Sequence, residues 1–273
     1  MKMIKHFRRL LKGALPNFIY QKFKERRAPI RYKYGFSSWM EAKAASTGYS
    51  ENSILEKVSS QTALIVARNS GWVRDGYYFP EAKLDFEILS VLSLHTAKTS
   101  KLRVLDFGGA LGTTYFQNRR ILEKFGIAFC WNIIEQPNFV REGKQILGSF
   151  NNLHFFESFK DATPSASDLV IFSSVLEYLE DPYRVLQEIM DWEVKPLGIV
   201  IDRSPIDAVS SDKYVVQSVD ESIHRAKLPL RILGQDRITE ILSNGYSLIS
   251  DWVSSTQPDS KSVAKGLYFL RKD

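Results

Sequence analysis

The sequence predicts an α/β fold in which strands and helices alternate around a mostly parallel sheet. The stretch Leu102 to Gly112 reads as a strand that ends in an aspartate and a glycine-rich turn, and a helical pattern follows it. After that point apolar runs of strand length alternate with helical patterns. Two last strands, Tyr246 to Ser254 and Ala264 to Arg271, are separated by a polar connection at residues 255–261 and predict a closing hairpin.

The elements are predicted in the following order. The first five strands are expected at Leu102–Phe107, Ala128–Glu135, Leu153–Phe156, Asp168–Ser174 and Gly198–Asp202. The helices are expected at Thr113–Phe125, Pro137–Leu147, Asp181–Trp192 and Gln235–Asn244. Residues between the fifth strand and the last helix read as a loop-rich stretch. Seven strands with a closing hairpin follow from this order, although the strands alone fit several doubly wound folds.

The part of the chain before the first strand divides into two segments. The second segment is residues 28–98. Within it, Arg31 to Tyr78 is rich in aromatic side chains and reads as irregular, with short helices at Trp39–Ala45 and Ser53–Ala67, and Glu81–Ala97 reads as a longer helix. We expect this segment to form a helical and aromatic cap, and residues 99–273 to form the ligand-binding domain.

Residues 1–27 contain most of the positive charge of the chain. They hold nine Lys or Arg and one Glu, a charge of +8, so the other 246 residues sum to −2 although the whole chain is +6. Apolar residues recur three and four positions apart from Met3 to Phe18, which predicts a basic amphipathic helix. Such a helix binds an anionic membrane surface or docks on its own domain. Nucleic acid is not expected as a partner.

Composition favours a cytoplasmic protein, held at the inner face of the membrane if the basic helix binds lipid. No apolar run approaches the roughly 18 residues of a membrane span. The one cysteine, Cys130, excludes a disulfide framework and indicates a reducing compartment. It lies in an apolar strand, so a buried structural thiol is expected.

The glycine-rich turn has the spacing Asp106-x-Gly108-x-x-x-Gly112. A dinucleotide fingerprint would need further glycines at positions that Ala110 and Thr113 occupy. Glu135 ends the second strand, where a carboxylate can accept hydrogen bonds from both hydroxyls of a ribose. The turn, its aspartate and Glu135 therefore predict a nucleoside-containing ligand, and the missing glycines argue against a dinucleotide.

This set of residues resembles the first motifs of class I S-adenosylmethionine-dependent methyltransferases. The resemblance implies a Rossmann-like, seven-stranded sheet with helices on both faces and an N-terminal helical extension. It also implies S-adenosylmethionine as cofactor, with cofactor-binding roles for the residues at the first, second and fourth strand ends: Asp106, Gly108, Gly109, Gly112, Glu135 and Ser174.

Further motifs narrow the resemblance. They are Trp131-x-x-x-Glu135-Gln, Leu176-Glu-Tyr-Leu-x-Asp-Pro182, Asp202-Arg-Ser-Pro205 and, upstream, Arg74-Asp75. Together they resemble a methyltransferase subfamily encoded in bacterial surface-polysaccharide gene clusters. This implies methyl transfer to a hydroxyl of a small-molecule or lipid-linked sugar. Tyr178 stands where the wider family has a histidine, so no histidine base is carried over.

Candidate residues for the chemistry are assigned on this basis. The candidate bases are Asp202, His224, Tyr178 and Asp75, and the candidate substrate-binding residues are Arg74, Arg203 and Glu177. No cluster of Cys and His indicates a metal. Two alternatives stay open: a catalytically inactive binding module of a polysaccharide assembly, and a nicotinamide-dependent sugar-modifying enzyme.

Overall fold

The computed structural model describes residues 30–47, 51–74, 76–81, 84–97, 100–162, 167–208, 211–219, 226–254 and 263–273. Its strands are β1 (Ile30–Phe36), β2 (Trp72–Arg74), β3 (Tyr77–Phe79), β4 (Lys101–Phe107), β5 (Ala128–Ile134), β6 (Leu153–Phe156), β7 (Leu169–Ser173), β8 (Gly198–Asp207), β9 (Lys213–Val219), β10 (Ala226–Gly234), β11 (Tyr246–Val253) and β12 (Ala264–Arg271). Its helices are α1 (Trp39–Ala44), α2 (Glu51–Arg68), α3 (Phe86–Thr96), α4 (Thr113–Lys124), α5 (Pro137–Leu147), α6 (Pro182–Met190) and α7 (Gln235–Leu242), with a 3₁₀ turn at Leu176–Tyr178.

Seven strands form the central sheet. Strands β6, β5, β4, β7 and β8 lie side by side in that order and are parallel. Strand β12 pairs antiparallel with β8, and β11 pairs antiparallel with β12. This arrangement confirms the predicted α/β, Rossmann-like sheet with its closing hairpin.

Helices cover both faces of this sheet. Side chains of β4 alternate between two cores: Leu102 and Val104 pack with helices α2 to α5, whereas Leu105 packs with α6 and α7. All three side chains are buried. A strand buried on both faces is typical of a parallel sheet between two helix layers. Helices α5 and α6 each begin at a proline, which fits the first turn of a helix because the missing N–H has no intrahelical partner there.

Three strands form an accessory sheet that the sequence did not predict. Strands β1 and β10 flank β9, both antiparallel to it, and β10 joins the far end of β8 through the parallel pairs Leu233 with Ile206 and Gly234 with Asp207. The expectation of a loop-rich stretch after the fifth strand is therefore wrong, and that strand runs on to Asp207. Pro205 and Pro229 lie within strands β8 and β10, where proline normally argues against a strand.

The first segment of the chain also contains strands. The region from Arg31 to Tyr78 was expected to be irregular, but it contributes β1 to the accessory sheet and forms the hairpin β2–β3, which packs on α2 and α4. The predicted basic helix at residues 1–27 and the connection at 255–261 lie outside the described residues. Among the described residues, no helix has both the length and the apolar character needed to cross a membrane.

Candidate functional site

Four carboxyl side chains lie at the carboxyl ends of four neighbouring parallel strands. Asp106 is near the end of β4, Glu135 follows β5, Glu177 is in the 3₁₀ turn after β7, and Asp202 is in β8. The registers place Asp106 opposite Ile171, and the next strand pair aligns Ser173 with Asp202. Ligands of open α/β sheets bind at this edge. The topology thus brings together acids spread over more than sixty residues of sequence.

The glycine-rich turn is shaped by residues in left-handed backbone conformations. Gly108 has φ 72°, Ala110 has φ 50° and Gly112 has φ 91°. A Cβ on Gly108 would lie 2.3 Å from Cγ2 of Val175, so only glycine fits where this turn meets the turn after β7. Helix α4 begins directly after Gly112, and no side chain caps it. Its first N–H groups therefore face the same edge as the acids, as in sites that bind polar ligands.

Asp106 lies beneath the glycine-rich turn. Its Oδ2 accepts a hydrogen bond of 3.0 Å from the indole Nε1 of Trp131, and its Oδ1 is buried with no hydrogen-bond partner among the described residues. Burial raises the pKa of this carboxyl to about 7, although Trp131 and Arg203 oppose the rise. A Cβ on Gly109 would lie 2.7 Å from the Asp106 Cγ. Gly109 therefore makes room for the Asp106 carboxyl.

Glu135 ties the end of β5 to the glycine-rich turn. Its Oε1 accepts a hydrogen bond of 3.1 Å from the N–H of Ala110, and its Oε2 accepts one of 2.9 Å from the N–H of Gln136. Burial raises the pKa of the Glu135 carboxyl, and the two backbone donors oppose the rise. Each oxygen keeps a further lone pair, so the side chain can also accept hydrogen bonds from ligand hydroxyls.

Glu177 is held by two serine hydroxyls from different strand ends. Ser174 Oγ donates to Oε1 at 2.9 Å, and Ser204 Oγ donates to Oε2 at 3.0 Å. Ser174 has φ 57°, a conformation that costs free energy for a residue with a Cβ. Burial raises the pKa of the Glu177 carboxyl to about 7, against the effect of the serines and of Arg203. The strained Ser174 and the buried Glu177 are thus joined by a hydrogen bond beside the glycine-rich turn.

Asp202 is surrounded by hydrogen-bond donors. Its Oδ1 accepts from Trp252 Nε1 and from Ser254 Oγ, each at 3.1 Å. Its Oδ2 accepts from Ser173 Oγ at 3.4 Å and lies 3.7 Å from Nε of Arg203. Burial nevertheless raises the pKa of the Asp202 carboxyl. These contacts position Asp202 as a fixed anchor between β7, β8 and the closing hairpin.

Arg203 is the cation that acts on three of these acids. It lowers the pKa of Asp106, Glu177 and Asp202, which are 1%, 2% and 2% exposed. Its φ is 55°, and its Nε donates to Ser173 Oγ at 3.0 Å. Three desolvated carboxyls around one guanidinium leave an excess of negative charge when all of them are ionised. The site consequently favours a ligand that carries positive charge.

The other predicted site residues lie elsewhere or outside the described residues. Arg74 stacks on the ring of Trp72 at 4.5 Å, and its Nη2 donates to Gln117 Oε1 at 3.4 Å, which places it along α4. Tyr178 packs against the accessory sheet and donates its hydroxyl to Gln217 Oε1 at 3.2 Å. The candidate bases Asp75 and His224 lie outside the described residues.

Two tryptophans of the site had no assigned role in the sequence analysis. Trp131 holds Asp106 and Trp252 holds Asp202, each through its indole N–H. Trp131 is part of the motif that ends at Glu135, so its position in the sequence offered a signal. Trp252 lies fifty residues beyond Asp202, and only the pairing of β12 with β8 and β11 brings it there.

The chain is similar in fold to several proteins of known structure. No protein-family model matches the chain, and no curated protein matches it in sequence. Magnesium protoporphyrin IX methyltransferase from Synechocystis PCC 6803 with bound S-adenosylmethionine is 17% identical, over 68% of this chain and 79% of that one, with a TM-score of 0.44. A methyltransferase from Methanosarcina mazei is 11% identical, over 66% and 96%, with a TM-score of 0.46.

The [4+2]-cyclase SpnF is a further structure with this type of fold. It is 13% identical over 80% of this chain and 94% of that one, with a TM-score of 0.48. At such identities and TM-scores the similarities describe the fold only. The function is therefore argued from the residues of the site.

Proposed function

We propose that this protein is an S-adenosylmethionine-dependent methyltransferase. The observation that carries the proposal is the charge of the site, where Asp106, Glu135, Glu177 and Asp202 outnumber Arg203. S-adenosylmethionine brings a sulfonium, an ammonium and a carboxylate group and so has a net positive charge, whereas the pyrophosphate of a nicotinamide dinucleotide brings negative charge. The excess of carboxyl groups favours the first ligand and opposes the second.

The residues around the glycine-rich turn suit the parts of this cofactor. Glu135 has the oxygens to accept ribose hydroxyls, and the left-handed turn from Gly108 to Gly112 lets a ligand approach the backbone closely. Asp106 offers a buried oxygen that can receive an N–H from the amino-acid portion. When bound, S-adenosylmethionine would supply a methyl group whose carbon a nucleophile can attack, with S-adenosylhomocysteine as the neutral leaving group.

We propose a hydroxyl of a sugar or of a saccharide-linked intermediate as the acceptor, in the synthesis of a bacterial surface polysaccharide. The motifs from Trp131, Leu176 and Asp202 onward support this through their resemblance to the subfamily. A hydroxyl acceptor loses its proton during the transfer, and buried carboxylates are suitable groups to receive it. The buried acids of the site with assigned hydrogen bonds are Glu177, which accepts from two serine hydroxyls, and Asp202, which accepts three hydrogen bonds.

A calorimetric titration tests the cofactor. We expect micromolar binding of S-adenosylmethionine and no binding of NAD⁺ to the folded full chain. Glu135→Ala should weaken binding by about tenfold or more, since charge-assisted hydrogen bonds contribute about 1.5–3 kcal/mol each. Glu188→Ala on the exposed face of α6 is the matched control and should bind normally. Binding of NAD⁺ in preference to S-adenosylmethionine would refute the proposal.

We also propose that residues 1–27 hold the protein at the inner face of an anionic membrane. Their charge of +8 and their apolar spacing support this. Deleting these residues should reduce co-sedimentation with vesicles that contain anionic lipid, while neutral vesicles bind neither form. Equal co-sedimentation of the full chain and the truncated chain would count against membrane contact.

A further inference from the structure

The turn that contains Glu177 borders the predicted cofactor cradle. Gly108 of the glycine-rich turn meets Val175 so closely that a Cβ would lie 2.3 Å from the valine Cγ2. Val175 stands between Ser174 and Glu177, and Ser174 hydrogen-bonds to the Glu177 carboxyl. The acid is thus separated from the cradle by one turn of chain and is itself shielded from water.

The carboxyl groups around Glu177 outnumber the positive charges that act on it. Arg203 is the cation that acts on it, and the same guanidinium also acts on Asp106 and Asp202. The acids of the neighbouring elements add to the negative charge: Glu135 acts on Asp106, and Asp85 before α3 acts on Asp202. Because burying an unpaired charge is costly, the cluster in this state retains protons.

Of the buried acids, Glu177 is well suited to change its protonation without moving. Its side-chain partners are the hydroxyls of Ser174 and Ser204, which can donate to a carboxylate or accept from a carboxylic acid by rotating their hydrogens. The backbone N–H of Glu177 is a further donor and opposes the rise of its pKa. Asp106 and Asp202 each receive an indole N–H, which can only donate, on one oxygen, so that only their other oxygen can carry a proton. The serine partners therefore tolerate both forms of Glu177.

We propose that Glu177 makes the site selective for charge: it keeps a proton while the site is empty or holds a neutral thioether, and releases it when a sulfonium compound binds. This inference rests on the proposed function and names what regulates the same site. S-adenosylmethionine and S-adenosylhomocysteine differ by one methyl group and one positive charge. Ionised Glu177 stabilises the first and gives no such advantage to the second, so the product leaves more readily than the donor.

Calorimetry in two buffers with different ionisation enthalpies, such as phosphate and Tris, measures the protons released on binding. At pH 7 we expect about half a proton to one proton per S-adenosylmethionine, since Asp106 and Glu177 each have a pKa of about 7. Binding of S-adenosylhomocysteine should release fewer. The ratio of the two affinities should rise as the pH increases from 5.5 to 7.5 and then level off, because ionisation of the acid precedes sulfonium binding.

The variant Glu177→Gln tests whether the proton released on binding comes from this residue. The variant keeps one acceptor and one donor for the two serines but cannot ionise. We expect proton release to fall by about half a proton and the preference for S-adenosylmethionine to fall about tenfold or more, the effect of removing a nearby charge in a desolvated site. Glu188→Gln on the exposed face of α6 is the control and should behave like the unchanged protein.

The outcomes separate the two proposals. If the folded full chain binds no S-adenosylmethionine, the proposed function fails. If it binds S-adenosylmethionine with a pH-independent affinity ratio and no proton release, the proposed function stands and this inference is overturned. If Asp106→Asn abolishes the release and Glu177→Gln leaves it intact, the assignment to Glu177 is overturned. The pH series needs no variant, so it tests whether the site releases a proton even where Glu177→Gln does not fold. Asp106→Asn then decides the assignment, because proton release that persists in this variant does not come from Asp106.

Discussion

Replacing Gly108 by alanine tests the contact between the glycine-rich turn and the turn after β7. The new Cβ would lie 2.3 Å from Cγ2 and 2.8 Å from Cβ of Val175, both well inside van der Waals contact. Alanine would also adopt φ 72°, which its Cβ disfavours. Two costs are therefore expected, one from the backbone and one from the collision.

Gly126 supplies a control that separates these costs. It has φ 68°, nearly the value of Gly108, but a Cβ there would meet no atom within 4 Å. Gly126→Ala should therefore cost only the left-handed backbone penalty, about 1 kcal/mol. Gly108→Ala adds the overpacking term of about 1–3 kcal/mol, for a total of about 2–4 kcal/mol. The difference between the two variants measures the collision with Val175.

Urea unfolding followed by circular dichroism gives the free energy of unfolding of each variant. In the double variant Gly108→Ala with Val175→Ala, both Cγ atoms are absent, so the shortest contact is relieved while the 2.8 Å approach to Cβ stays. The costs of the two single changes should therefore not add fully. A coupling of about 1 kcal/mol or more between the positions is expected. If Gly108→Ala destabilises no more than Gly126→Ala, or if the two changes simply add, the close contact is refuted.

Three further predictions concern buried charges. Arg231→Met should reduce the free energy of unfolding, measured in urea, by about 3 kcal/mol. The variant would take an ion-pair partner from the buried Asp212 and a hydrogen-bond donor from the Glu180 carbonyl. An unchanged unfolding midpoint would contradict this. As the pH rises from about 4.5 to 7, the free energy of unfolding should fall by up to about 1.4 kcal/mol per pH unit, because folded Glu177 keeps a proton that the unfolded chain loses. Glu177→Gln should flatten this slope, and an equal slope in the variant would contradict the raised pKa. Cys130 is half-buried, not fully buried as the sequence predicts. This partial burial still raises the pKa of its thiol, so a thiol-reactive disulfide at pH 7.5 should label the folded chain more slowly than the urea-unfolded one; equal rates would contradict it.

The central sheet was predictable because its signals are local. The strand and turn from Leu102 to Gly112 and the apolar run from Ala128 each fall within one residue of the observed β4 and β5. Prolines at the starts of α5 and α6 marked those helices in the sequence. Apolar strands buried on both faces, each followed by a helix, need no distant partner to be recognised.

The accessory sheet was not predictable in the same way. Strand β1 pairs with β9 from a position about 180 residues earlier, for example Tyr32 with Gln217. Strand β10 contains Pro229, and its buried residues do not alternate clearly with exposed ones. Whether such a segment forms a strand depends on the partner that it finds, and that information is not local.

The glycine-rich turn and Glu135 were recognised from their spacing, but the role of Arg203 needed the folded chain. On the sequence, Arg203 was a candidate substrate-binding residue. In the structure its Nε lies 3.7 Å from Oδ2 of Asp202, and its charge also lowers the pKa of Asp106 and Glu177, which belong to other elements of the sheet edge. A guanidinium already shared by three acids has little positive potential left for an anion, whereas the acids retain negative potential for a cation. The order of strands in the sheet, which places β8 and β4 on either side of β7, therefore determines whether this site prefers a positively or a negatively charged ligand.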